Sequence, residues 1–412
     1  MSAAVDSTAR YVILGAGQAG GHAALALRAA GFAGRVTLVG DEAYPPYERP
    51  PLSKKLLMGE VGLETTFLRP AAHYDEKGIE LLLGRRATAI ARTDRRIDFA
   101  AGEPLHYDKL MLTTGGRPRR LALPGADLPG IYYLRSIDDV LAMQPAMVPG
   151  ARVAIVGGGF IGLEVAAAAA KRGCLVTVLE VEDWLMKRVA PRIISTAFET
   201  LHRRHGVDIR LATAVAGFAG EGRLRQVVTS DGGRLDADLA VIGIGIVPNV
   251  ELAAAAGLEI ANGIVVDAFG RTSDPDIYAA GDVVAGHNPL LGRRLRLESW
   301  QNAQNQAIAA AKNMAGAEAP YAEVPWFWSD QYDLNFQMTG LSHEHDEIAV
   351  RGDPAEPQFS VFFLKEGYLA GACCFNNARD IPVARQLIAR RIAVSPAGLA
   401  DLSVPLKQLL RG

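Results

Sequence analysis

The feature that most restricts this chain is a pattern that occurs twice: an apolar run, a glycine-rich turn, an alanine-rich stretch, and a second apolar run followed by acid. Residues 11–14 (Tyr-Val-Ile-Leu) show no alternation of apolar and polar positions, as in a strand buried on both faces. Gly15-Ala16-Gly17-Gln18-Ala19-Gly20 comes next, then a helix-forming stretch closing at Gly31, then Arg35–Val39 with Asp41 and Glu42 at its end. In the second copy Arg152–Val156 is the strand and Gly157-Gly158-Gly159-Phe160-Ile161-Gly162 the turn. Residues 163–172 read as its helix, and Leu175–Leu179 as the strand that runs into Glu180. One G-x-G-x-x-G means little among 43 glycines. Two, each between a strand and a helix with an acid ~20 residues on, specify a pair of dinucleotide-binding βαβ units.

The spacing has a physical reason. The first glycine permits the tight turn, the second lets the backbone approach a pyrophosphate, and the third lets helix and strand pack closely. The helix N-terminus then offers free N–H groups to the phosphates. Two such sites imply two dinucleotides, most economically one tightly held flavin and one exchangeable nicotinamide. Glu180 is placed to bind ribose hydroxyls, and with Glu182 and Asp183 close behind it would repel a 2′-phosphate, which favours NADH over NADPH.

The rest of the chain sets the expected architecture. Residues 110–118 look like a strand running into a crossover, and 239–244 like a comparable strand ending in Gly245, entry and exit points for an inserted domain. After Pro320, alternating aromatic segments at 358–364 and Tyr368–Phe375 suggest an antiparallel sheet. The expected fold is α/β, with two Rossmann-like domains and a C-terminal α+β domain. The boundaries are 1–117 and 246–320 for the first nucleotide domain, 118–245 for the second and 321–412 for the third. In 412 residues, 43 Lys+Arg against 45 Asp+Glu leave a net charge of −2, which argues against nucleic-acid binding. No run reaches the ~20 apolar residues of a membrane helix and no cleavable leader is visible, so a cytoplasmic protein is expected. Three cysteines, Cys174, Cys373 and Cys374, supply neither a zinc site nor the C-x-x-C or C-x₄-C pair of a disulfide reductase. No metal is expected.

Tyr47-Glu48-Arg49-Pro50-Pro51-Leu52-Ser53-Lys54 resembles the R-P-P-L-S-K segment of the NADH-dependent ferredoxin reductases of oxygenase systems. The run from Thr272 to Asp282 resembles their second flavin motif. Glu298-Ser299-Trp300, Pro325-Trp326-Phe327-Trp328-Ser329-Asp330-Gln331 and Ser403-Val404-Pro405-Leu406-Lys407 are similar to the same family, so the resemblance covers essentially the whole chain. It implies a glutathione reductase-like fold with FAD in the first unit: Gly15, Gly17, Ala19 and Gly20 at the pyrophosphate and Asp41 near the adenosine ribose. Arg49, Lys54, Ala87, Arg135, Gly281, Asp282 and Trp300 would line the remainder. NADH would lie on Gly157, Gly159, Ile161, Gly162, Glu180 and Gly245. Three residues carry expected catalytic roles: Lys54 beside the isoalloxazine, Glu164 by the nicotinamide and facing Lys54, and Trp328 between the flavin and the partner. The implied partner is a [2Fe–2S] ferredoxin that feeds a haem monooxygenase or a Rieske dioxygenase. Other readings are a rubredoxin or monodehydroascorbate reductase, or a flavin-binding signalling protein of the apoptosis-inducing-factor type.

Overall fold

The computed structural model describes residues 8–411. The chain forms two compact units. One is built from the residues up to Arg49, Leu63–Arg117 and Val247–Glu323; the other from Pro50–Gly62, Pro118–Ile246 and Val324 onward.

The first unit is centred on a five-stranded parallel sheet. Its order is Ile277–Ala279, Lys109–Leu112, β1 (Arg10–Leu14), β2 (Arg35–Val39) and Ile79–Leu82, with α1 (Gln18–Ala29) linking β1 to β2. The two-residue period of β1 sends Ile13 into one core and Val12 and Leu14 into another, which is why the run is apolar throughout. On the Ile13 side, Ala23 and Ala24 of α1 lie in one cluster with Ala303, Ala307, Ala310 and Ala311 of the helix Trp300–Met314. Such small side chains let two helices approach closely.

The second unit contains α2 (Lys55–Met58) and another parallel sheet. Its order is Asp208–Arg210, then β4 (Leu175–Leu179), β3 (Arg152–Val156), Leu239–Ile242 and Ile131–Tyr133; α3 (Phe160–Lys171) connects β3 to β4. α3 begins at Phe160, earlier than the expected 163, because Gly159 is its N-cap and the last three residues of the turn already have helical geometry. α4 (Arg192–Arg204) follows. β5 (Trp326–Gln331), β6 (Leu334–Gly340) and β7 (Tyr368–Phe375) then form an antiparallel sheet with Phe359–Lys365 and Glu347–Gly352.

The grouping departs from the expected boundaries at two places. Residues 50–62 lie in the second unit because Gln144 donates to the carbonyls of Leu56 and Leu57, and Arg172 to those of Leu57 and Met58. The terminal sheet does not stand apart from the second nucleotide fold. Phe160 of α3 has its ring 4.6 Å from Phe327, 5.6 Å from Phe336 and 5.9 Å from Phe198 of α4, an aromatic cluster that fuses the two.

Candidate functional site

In the first unit the glycine turn is cut to fit something other than protein. A Cβ on Gly20 would lie 1.9 Å from the Gly15 carbonyl oxygen, and Gly15 itself has φ +118°, so both glycines are imposed by the turn. Gly17 is different: its φ is −88° and a Cβ there would meet nothing closer than Arg49 Nη2 at 3.9 Å. Packing leaves that space open. Gln18, next in line, is only 8% exposed, yet neither its amide oxygen nor its amide nitrogen has a protein partner. A cradle and an orphaned amide at a helix N-terminus fit the pyrophosphate of a dinucleotide.

Around the turn, Arg49 donates to Glu42 at 2.8 Å and to Tyr47 at 2.9 Å, and the field of Asp282 reaches it. Gly281 lies against Ala19, and its N–H donates to Gln306 at 2.9 Å. Burial raises the Glu48 carboxyl above its usual range, partly opposed by a hydrogen bond from Trp300. Gly15, Gly17, Ala19, Gly20, Arg49, Gly281, Asp282 and Trp300 therefore belong to one neighbourhood of this unit. Asp41 is exposed at the end of β2. With Leu14 paired to Val39 and Val156 to Leu179, the position that Glu180 fills in the second copy belongs to Gly40 in the first. Ala87 opens the strand Ala87–Ala91, partly buried against the core on the far side of the sheet.

The second turn repeats the design. A Cβ on Gly162 would meet the Gly157 carbonyl oxygen at 2.2 Å, while one on Gly159 would meet nothing nearer than 3.9 Å. Ile161 is 47% exposed on the first turn of α3, an apolar surface beside the cradle. Glu180 is nearly buried; one oxygen accepts the Gly158 N–H at 2.6 Å and the other the Glu182 N–H at 2.9 Å. It shapes the turn and keeps further lone pairs for ribose hydroxyls. Glu182 and Asp183 are both bound by Lys187, each at 2.9 Å, and one ammonium offsets one of their two charges, so the repulsion expected from three acids is reduced. Gly245, at φ +94°, faces the Arg188 guanidinium.

The second unit also joins Lys54 to Glu164, 110 residues on, at 2.6 Å; the side chains are 16% and 2% exposed. Ser53 donates to the same carboxylate oxygen at 2.5 Å, and Ser329 of β5 to the other at 2.6 Å. Glu164 thus accepts from three donors, two neighbours at 53–54 and one at 329, drawn from two distant stretches of chain. Ser53 and Ser329 stand inside motifs visible in the sequence, although nothing local assigns them this role. Arg135, in the same unit, precedes the helix Ile137–Met143, and its N–H donates to Asp139 at 2.9 Å. Trp326 and Trp328 share one face of β5 and stack at 5.2 Å, half-buried, with Trp328 Nε1 donating to Asp330 at 3.2 Å.

Residues 9–307 match the family described as pyridine nucleotide-disulphide oxidoreductase, and residues 326–410 match the reductase C-terminal domain. The chain belongs to the pyridine nucleotide-disulphide oxidoreductase family. Within it, the chain is 46% identical to the ferredoxin–NAD(+) reductase component of the anthranilate 1,2-dioxygenase system of Burkholderia cepacia, over 97% of this chain and 99% of that one. It is 41% identical to putidaredoxin reductase of Pseudomonas putida, over 98% of each. The solved covalent putidaredoxin reductase–putidaredoxin complex superposes with a TM-score of 0.96 at 40% identity, over 98% of this chain and 99% of that one. Despite the family's name, no disulfide chemistry is available. All three cysteines are buried and unpaired, and burial raises Cys174 and Cys373 and pushes Cys374 up to about 12. Among the described residues no group of side chains could hold a metal and no helix is long and apolar enough to cross a membrane.

Proposed function

We propose that this protein is an FAD-dependent NADH:ferredoxin reductase, working in the cytoplasm, which passes electrons singly to a [2Fe–2S] ferredoxin that supplies a haem monooxygenase or a Rieske dioxygenase. One observation carries the reading: two open dinucleotide cradles occur in a chain whose three cysteines are all buried and unpaired. The chain offers no dithiol for electrons taken from NADH, so a bound flavin would have to supply the exit as well as the entry. The relatives, reductase components of dioxygenase and putidaredoxin systems, support this acceptor class.

When bound, FAD supplies the chemistry that no side chain can, accepting a pair of electrons as hydride and releasing them one at a time. The chain contributes position and charge. Gly15, Gly17, Gln18, Ala19 and Gly20 would hold the pyrophosphate, with Arg49, Gly281, Asp282 and Trp300 around the rest and Asp41, Ala87 and Arg135 at the margins. Gly157, Gly159, Ile161, Gly162, Glu180 and Gly245 would hold NADH. Lys54, fixed by Glu164, supplies a cation against the negative charge that builds up at the reacting rings. Trp328 offers a polarisable face toward the acceptor.

The test is anaerobic mixing of the yellow holoprotein with NADH or NADPH, followed by cytochrome c reduction with and without a [2Fe–2S] ferredoxin. Bleaching by NADH at least about tenfold faster than by NADPH is expected, with cytochrome c reduction dependent on the ferredoxin. Turnover unaffected by the ferredoxin, or supported only by rubredoxin or ascorbyl radical, would overturn the assignment.

A further inference from the structure

Beyond Ser329 the Glu164 cluster continues into the protein. Gln331 Nε2 lies 3.1 Å from Ser329 Oγ, His202 Nε2 lies 2.7 Å from Gln331 Oε1, and the Tyr332 hydroxyl lies 3.2 Å from His202 Nδ1. Ser329, Gln331 and His202 are 0%, 1% and 0% exposed. His205 closes the outer end, its ring stacked on Tyr332 at 3.6 Å. Here α4 is tied to β5 and, through Glu164, to α3.

The direction of every proton in this chain follows from its inner end. Glu164, paired with Lys54, only accepts, so the Ser329 hydroxyl donates to it. Ser329 Oγ must then accept from the Gln331 amide nitrogen, which turns the amide oxygen toward His202. His202 therefore carries its proton on Nε2 and leaves Nδ1 bare for the Tyr332 hydroxyl. In this orientation of amide and imidazole each link of the chain joins one donor to one acceptor. Because an amide does not readily pass a proton on, the chain cannot serve as a proton conduit through Gln331. What it can do is fix orientation. Tyr332 also holds φ +56°, a left-handed conformation that a bulky residue adopts only under strain. Its hydroxyl and its stacked ring are what that turn position contributes.

We propose that the buried chain Tyr332–His202–Gln331–Ser329 positions the Glu164 carboxylate, and through it the Lys54 ammonium, for the reaction with NADH, which makes His202 a positioning residue. The proposal rests on the reading of Lys54 and Glu164 given above. Ser329 is the last link, and His202 acts only by holding Gln331 in the orientation that aims the Ser329 hydroxyl.

The test compares holoprotein of the variants His202→Leu, His202→Gln, Gln331→Leu, Ser329→Ala and the double variant His202→Leu/Ser329→Ala. Flavin reduction at saturating NADH is expected to slow about tenfold in Ser329→Ala and about three- to tenfold in His202→Leu and Gln331→Leu, with half-saturation by NADH within about twofold. Gln places an N–H near the Nε2 position, so His202→Gln should recover to within about twofold of the parent. The double variant should be no slower than Ser329→Ala alone, since both changes break one chain. A second readout needs no nicotinamide: the rate at which acetic anhydride labels Lys54, followed by mass spectrometry, should rise in His202→Leu and Gln331→Leu and return in His202→Gln. Multiplying effects in the double variant, equal slowing by Leu and Gln at 202, or unchanged Lys54 labelling would overturn the proposal. If the parent protein is not reduced by NADH, the functional reading fails instead, and the labelling comparison still decides whether the chain positions Lys54.

Discussion

Within each nucleotide turn, glycine serves two separable purposes. Gly20 and Gly162 are dictated by the protein, since a Cβ at either would run into a carbonyl oxygen of its own turn. Gly17 and Gly159 are not: their φ values of −88° and −79° suit any residue, and a methyl group would enter open space. Gly17→Ala should therefore leave the melting of the apoprotein unchanged or raise its stability by about 0.4–1 kcal/mol, because the unfolded chain loses freedom. The same change should weaken FAD retention, read by fluorescence of released flavin. Gly159→Ala should keep the yellow colour and raise KM for NADH. Gly20→Ala is the control, expected to destabilise the apoprotein itself. A fall in apoprotein stability for Gly17→Ala as large as for Gly20→Ala would show that the cradle is structural rather than shaped for a ligand.

At the scale of elements, the Lys54–Glu164 pair is made by bringing the residue that caps α2 against the second turn of α3. Glu164 is almost fully buried, and removing its charge leaves an ammonium with little water around it. Glu164→Gln is expected to lower the stability of the second unit by about 3 kcal/mol, and Lys54→Met in that background should return most of the loss. Scanning calorimetry of the apoprotein checks both. The strand–turn–helix units were legible in the sequence because everything that defines them lies within ~30 consecutive residues. The tie from Ser53 to Glu164 crosses 111 positions and that from Ser329 crosses 165, so topology sets both and no local spacing announces them. Asp41, which the resemblance places near the adenosine ribose, is exposed at the end of β2, one residue beyond Gly40, the position that strand register makes equivalent to Glu180.

For the molecule as a whole, the fusion of the second nucleotide fold with the terminal sheet means that a group at their seam acts on both. The change of texture after Pro320 signalled a new sheet, but not that Phe327 and Phe336 would close over Phe160, since aromatic composition does not say which face packs on what. His202 sits in that seam, and burial pushes its imidazole down to about 4, with the His205 charge adding to the effect and the Gln331 hydrogen bond opposing it. Unfolded, the same imidazole titrates near ~6.5. The folded value is the lower one, so the associated stability is fully present above pH ~6.5 and is lost as pH falls toward 4, when the unfolded chain takes up a proton that the folded one refuses. The full loss amounts to roughly 3 kcal/mol. Asp238, held down to about 2 by Arg152, gives up its contribution only at lower pH, outside this window. The His202→Gln protein, which keeps an N–H toward Gln331 without a titrating ring, should show a flatter melting temperature between pH 6.5 and 4 than the parent. Parallel curves for the two proteins would mean that His202 is not the group that responds, and that the acid sensitivity of this unit lies elsewhere.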